Sequence, residues 1–165
     1  KSEFISRIID LLKPLATTIL IEPGRSIVGE AGILVSKVIN TKSTPSKKFI
    51  IVDAGMSDLL RPPLYNAFHA IKEVFHNNES KFLCDVVGPI CETADFLGKD
   101  RTLSLSKGDY IAIECVGAYG FTLSSNYNTR LKPAEYIINK DTKSIREIRK
   151  RDTIDQILDN EIEYL

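Results

Sequence analysis

Net charge is lacking in this chain: among its 165 residues, 22 basic side chains cancel 22 acidic ones. With no surplus of either sign and no basic stripe interleaved with aromatics, nothing draws it to nucleic acid or to an anionic membrane. Long apolar runs are also absent. Phe49-Ile50-Ile51-Val52 and Ile111-Ala112-Ile113 fall far short of the roughly 20 residues that span a bilayer. Lys1 to Leu12 mixes acidic with apolar residues and carries no signal-peptide cleavage pattern. Cysteine is scarce. Cys84, Cys91 and Cys115 cannot all pair within one chain, and their spacing fits no zinc template, so a reduced, cytoplasmic setting is expected. Internal repeats and low-complexity tracts are missing too.

What is present is the composition of a globular protein, 43% hydrophobic and 27% charged, enough to bury a core. Phe4, Ile5, Ile8, Ile9 and Leu12 fall on one face at helical spacing, which predicts an amphipathic helix from Ser2 to Leu12, stopped near Pro14. Thr17 to Ile21 reads as a short buried strand ending at Glu22-Pro23-Gly24-Arg25. From Gly32 the pattern becomes β: Ile33 to Asn40, Lys48 to Val52, Phe68 to Phe75, Phe82 to Val87, Asp109 to Val116, and Glu135 to Asn139 with Ser144 to Arg149. Turns are expected at Thr41 to Lys48 and Asn139 to Lys143. Strands at this density predict a mainly β chain with some α, in an antiparallel barrel or sandwich. Thr153 to Leu158 should close the chain as a short helix, with Asp152 as its N-cap.

Several chemically able side chains lie in loops marked by Gly or Pro. Cys91 follows Gly88-Pro89 and precedes Glu92, a setting in which a thiol can be exposed and its acidity adjusted. Cys84 and Cys115 lie in apolar runs and are expected to be buried as small hydrophobes. Arg25 stands directly after Pro-Gly and Arg61 directly before Pro-Pro, whereas an isolated arginine is usually a solvated charge. Tyr119 sits in Gly117-Ala118-Tyr119-Gly120, where a packing anchor at a turn is the plain alternative to a ligand contact. Asp53 and Asp58, five apart around Gly55, are expected to cap a turn. His69 and His76 have no metal-ligand spacing and are assigned structural roles. Arg149-Lys150-Arg151-Asp152 reads as a solvated edge.

Taken in order, Glu22-Pro23-Gly24-Arg25, Asp53-Ala54-Gly55-Met56, Arg61-Pro62-Pro63-Leu64-Tyr65, Cys91-Glu92-Thr93-Ala94-Asp95 and Gly117-Ala118-Tyr119-Gly120 closely resemble the diaminopimelate decarboxylases. These are pyridoxal-phosphate enzymes of the alanine racemase and ornithine decarboxylase type. The resemblance runs from about Ser2 to about Leu158 and covers only the C-terminal part of the family's length. It implies that residues 1–31 are the last helix-strand unit of an otherwise missing (β/α) barrel, and 32–165 a C-terminal β domain. It also implies a homodimer whose active site is completed across the interface. The anchoring lysine, the histidine that stacks on the cofactor and the glycine-rich phosphate loop belong to that barrel, so none of Lys37, Lys47 or Lys48 is given the anchoring role. The chain is accordingly expected to be a fragment that is inactive alone.

The resemblance further assigns roles by residue. Cys91 is the proton donor, and a thiol with a pKa of about 8.5 keeps its proton at neutral pH yet can release it to a carbanion. Glu22, Pro23, Gly24, Arg25 and Tyr119 lie against the cofactor. Arg25 and Arg61, with Tyr65 assisting, hold the substrate's distal carboxylate, Glu92 takes its distal ammonium, and Tyr119 reaches the substrate as well as the cofactor. Arginine suits the first task because its planar fork donates two parallel hydrogen bonds. The function implied is decarboxylation of meso-diaminopimelate to L-lysine. A related decarboxylase acting on another basic amino acid or on carboxynorspermidine, or a noncatalytic dimerisation module or pseudoenzyme, are the alternatives.

Overall fold

The computed structural model describes residues 2–15, 18–75, 80–159 and 161. The chain opens with helix α1 (Ser2–Leu12), over the residues that the apolar periodicity marks, and a 3-10 turn at Lys13–Leu15 around Pro14. Phe4, Ile5 and Ile9 on its apolar face are exposed. The strand expected at Thr17 to Ile21 does not form: residues 18–24 have no regular structure, Leu20 is 89% exposed, and Thr17 lies outside the described residues. An apolar run becomes a buried strand only when neighbours take up its backbone N–H and C=O groups, and among the described residues no strand pairs with this one.

A four-residue helix α2 (Arg25–Val28) and a 3-10 turn at Gly29–Ala31 lead into the main sheet. Its strands are β1 (Ile33–Ser43), β2 (Lys48–Val52), β3 (Ile71–Glu73), β4 (Phe82–Val87), β5 (Phe96–Leu103) and β6 (Tyr110–Glu114), in the order β3-β6-β1-β2-β4-β5. All neighbours are antiparallel except β2 and β4, which run parallel, a departure from the wholly antiparallel expectation. β1 pairs with β6 over Ile33 to Lys37, then with β2 over Val38 to Ser43, and its register shifts between Val38 and Asn40. Such a bulge bends the strand and increases its twist. β3 also packs against β5, so the sheet curls into a nearly closed barrel.

Val38, Ile50, Val52, Cys84, Val86, Leu97, Ile111 and Ile113, from five strands, fill the interior together with Leu59 and show no exposed surface. Each such side chain contributes on the order of 1.5–3 kcal/mol relative to leaving it in water. Two strand expectations need correction. The Phe68 to Phe75 segment is a strand only at β3, and the residues before it form a loop that carries His69 inward. β5 was not expected, because Gly98-Lys99-Asp100-Arg101 breaks the alternation; Asp100 has a left-handed φ of 52° and the ladder to β4 shifts register nearby.

Beyond the barrel, β7 (Glu135–Ile138) and β8 (Ile145–Arg149) form a separate two-stranded ribbon. Its turn is held by Asn139 Oδ1, which accepts from the N–H groups of Asp141 and Thr142. Helix α4 (Ile154–Leu158) is capped by Thr153 rather than Asp152. Thr153 and Gln156 exchange side-chain to backbone bonds at 3.0 and 3.3 Å, a capping box. Asp152 instead accepts from Asn126 Nδ2 and the Lys132 N–H. No helix among the described residues is long and apolar enough to cross a membrane.

Candidate active site

Two groups of side chains stand at the ends of the strands. The first is built on α2, the loop after β6, and helix α3 (Arg61–Tyr65). Four residues are too few for α2 to persist alone. It is held because Gly117 N–H donates to the Gly29 carbonyl and Val116 N–H to the Gly32 carbonyl, both at 3.0 Å. A side chain on Gly117 would strike the Val28 carbonyl, so this approach of two backbones requires glycine. Tyr119 then takes a left-handed φ of 59° and lays its hydroxyl over Gly24. A Cβ on Gly24 would collide with that oxygen. Glu22, Pro23 and Arg25 are exposed around this point, and Arg25 rests its Cγ against Gly29.

Arg61 occupies the first helical position of α3, followed by two prolines whose missing N–H groups are tolerated at a helix start. Asn66 ends the helix in the left-handed conformation and turns the chain inward to His69. Arg61 Nη1 donates to His69 Nε2 at 3.2 Å, and His69 Nδ1 donates to the Glu114 carbonyl at 2.8 Å. The tautomer follows from the partners: a carbonyl only accepts and a guanidinium only donates, so the proton is on Nδ1. Burial holds the His69 pKa below its ordinary value; the Glu114 carbonyl opposes this, while Arg61, Arg25 and Arg101 add to it. Three guanidinium groups therefore bear on one neutral imidazole. Tyr65 is exposed one turn beyond Arg61.

The second group lies on the β4–β5 loop. Asp95, 3% exposed, accepts from Met56 N–H at 2.6 Å and from Ile90 N–H at 2.7 Å, joining this loop to the turn after β2. Gly88 N–H bonds the Asp95 carbonyl and Asp95 N–H the Glu92 carbonyl, each at 3.0 Å, so the loop closes on itself. Cys91 and Glu92 project from it exposed. Glu92 Oε1 accepts from the Tyr127 hydroxyl at 2.5 Å, and this acceptor is the main cause of the raised Tyr127 pKa. Tyr127 in turn lines a cleft of about 410 Å³ with Met56, Ser57, Leu60 and Ser125.

The remaining sequence expectations divide. Asp58 accepts from Gly55 N–H at 2.8 Å and caps the turn as expected, while Asp53 accepts from Ser36 Oγ and Lys37 N–H and so ties the turn to β1. Arg130 reaches both, through the Asp53 carbonyl and at 3.7 Å from Asp58. Cys84 is buried, which pushes its pKa up to about 11, and Cys115 is half-buried. His76 lies outside the described residues. His69, Asp95 and Tyr127 were absent from the expected site. Their contacts join residues 8, 39 and 35 apart with no helical or strand period, so no pattern in the sequence marks them. Among the described residues no His, Cys, Asp or Glu group is arranged to hold a metal ion.

A curled β domain with arginines, a phenol, a thiol and a carboxylate in loops at its strand ends has known counterparts. The family model for the C-terminal sheet domain of pyridoxal-dependent decarboxylases matches residues 8–117, and the chain belongs to that family. Within it, the chain is similar to the diaminopimelate decarboxylase of Aquifex aeolicus, 48% identical over 151 residues that cover 91% of this chain and 36% of that protein. It is similar also to that of Helicobacter pylori strain J99, 45% identical over 165 residues, covering 99% of this chain and 40% of the other. The crystal structure of Helicobacter pylori diaminopimelate decarboxylase complexed with L-lysine superposes with a TM-score of 0.86 at 45% identity, over 99% of this chain and 40% of that one. The chain thus spans about two fifths of the length of these relatives.

Proposed function

We propose that this chain is the C-terminal part of a decarboxylase that converts meso-diaminopimelate to L-lysine in the cytoplasm, as a homodimer whose two site groups complete one another across the interface. Residues 1–31 would finish the barrel and 32–165 form the β domain. The observation that carries the reading is Arg61 held against the buried His69 by a 3.2 Å hydrogen bond, with the Arg25 charge acting on the same imidazole and the Tyr119 hydroxyl lying over Gly24, the residue before Arg25. Two cations that act on one imidazole suit a carboxylate that survives the reaction.

The residues present fit the phosphate end of pyridoxal phosphate. Gly24 offers bare backbone beneath a phenol hydroxyl, a cradle that a Cβ would fill. Glu22, Pro23 and Arg25 flank it, and Tyr119 supplies the donor. When bound, the cofactor supplies an electron-withdrawing ring that accepts the electrons left by the departing carboxyl group. Arg25 and Arg61, with Tyr65 and Tyr119, hold the distal carboxylate. Glu92 takes the distal ammonium, steadied by Tyr127. Cys91, exposed beside Glu92, holds a proton on Sγ and delivers it to the substrate carbon that has lost its carboxyl group.

The test is turnover by the full-length protein that contains this chain, loaded with pyridoxal phosphate, on diaminopimelate, carboxynorspermidine, arginine and ornithine in parallel. Release of CO2 from diaminopimelate well above the others is expected. Preference for any other substrate overturns the reading.

A further inference from the structure

His69 has no part in the chemistry assigned so far, yet it is 1% exposed and touches the site directly. An arginine free in solvent samples many rotamers, and ordering them weakens ligand binding. Arg61 is spared this, because Nη1 is held from inside by His69 Nε2 at 3.2 Å, leaving the Nε–Nη2 edge of the fork to meet a carboxylate. The imidazole is fixed in turn by its 2.8 Å bond to the Glu114 carbonyl at the end of β6, a main-chain group that cannot swing away.

We propose that His69 is the positioning residue that aims Arg61 at the substrate's distal carboxylate, so that the pair sets the preference for ligands carrying that group. This rests on the assignment of Arg61 given above. The groups facing His69 support it from every side: Arg61 from α3, Arg25 from α2, Arg101 from β5 and the Glu114 carbonyl from β6. The Glu114 carboxylate itself is engaged by Lys72 at 2.5 Å. Among three guanidinium groups only a neutral imidazole can accept at Nε2. A second proton there would set donor against donor and release Arg61.

Removing one carboxyl group from diaminopimelate leaves L-lysine, whose remaining carboxylate is the one that stood distal to the reacting carbon. L-Lysine and 1,5-diaminopentane therefore differ by the group Arg61 would hold, and neither carries the carboxyl group lost in the reaction. Equilibrium binding of both is measured calorimetrically on the full-length, pyridoxal-phosphate-loaded protein. His69→Asn keeps a donor for the Glu114 carbonyl but cannot reach Arg61, whereas His69→Gln carries an acceptor at the place of Nε2. His69→Asn is expected to weaken L-lysine roughly tenfold, the scale of one hydrogen bond to a charged group, with 1,5-diaminopentane unchanged, and His69→Gln to recover most of the loss. Equal weakening of both ligands, unaltered L-lysine binding, or no recovery in His69→Gln overturns the proposal. Arg61→Met separates the two levels. If it leaves the ratio of the two affinities unchanged, the assignment of Arg61 fails and this proposal with it. If it collapses the ratio while His69→Asn does not, only the role of His69 fails.

Discussion

Tyr127 donates its phenolic proton to Glu92 across 35 residues of sequence, at 2.5 Å. The bond fixes the direction in which an otherwise exposed carboxylate points, and puts the wall of the 410 Å³ cleft in contact with the β4–β5 loop. Removal of the hydroxyl in Tyr127→Phe should free Glu92 without disturbing the core. In the full-length protein, KM for diaminopimelate should rise about three- to tenfold, with kcat changed less, since one hydrogen bond is lost. An unchanged KM would detach Tyr127 from the substrate's distal end.

Gly24→Ala places a methyl group where the Tyr119 hydroxyl now lies. Every atom that the methyl group would meet belongs to the Tyr119 side chain, so the phenol and not the backbone must move. Affinity for pyridoxal phosphate, followed by its absorbance during titration, should fall about tenfold, with the unfolding midpoint shifted little. Undiminished affinity would show that the Gly24–Tyr119 approach is packing alone.

Asp95→Ala strips both acceptors from the N–H groups of Met56 and Ile90, in a place nearly closed to water. Two orphaned donors should lower the free energy of unfolding by about 2–5 kcal/mol in urea titrations of the full-length protein. A loss under about 1 kcal/mol would mean that the 88–95 loop holds its shape without this staple.

Acid should act through His69. Its pKa lies below that of the unfolded chain, about 6.5, so between the two values the unfolded state binds more protons and stability rises with pH. The contribution is complete above about pH 6.5 and is lost as pH falls through the folded-state value. Asp58 and Asp95 have raised values, owing chiefly to burial, and act in the opposite sense, losing stability as pH climbs from about 4 through their folded-state values. Unfolding free energies at pH 5.5 and 7.5 should therefore differ less in His69→Asn than in the unaltered protein. Equal differences would remove His69 from the acid response.

Local chemistry made much of the fold legible. Lys48–Val52 and Phe82–Val87 are dense in Val, Ile, Leu and Phe and form strands over those residues, and the 3.6 period marks α1 in the same way. Legibility fails where a segment's state depends on neighbours. Residues 18–21 are as apolar as a buried strand yet have no pairing partner among the described residues, whereas Gly98 to Arg101 are polar and kinked yet are drafted into β5 by β4 alongside. The site divides likewise. Gly and Pro advertise the loops that bear Arg25, Arg61, Cys91 and Tyr119, but the partners that aim the side chains arrive through the fold: His69 after a left-handed turn at Asn66, Asp95 from the far end of its loop, and Tyr127 from beyond the last barrel strand.

β1 spends its first five residues beside β6, which leads to Glu114 and Tyr119, and its later ones beside β2, whose parallel neighbour β4 leads to Cys91 and Glu92. The bulge around Ile39 is where one allegiance gives way to the other. That strand is therefore a ruler with a joint in it: the arginine-bearing end and the thiol-bearing end are spaced by a single covalent segment. Deleting the joint would not merely shorten the ruler. It would turn Asn40 to Ser43 over, exchanging the sides of the sheet on which they stand, and leave two intact half-sites calibrated for different partners.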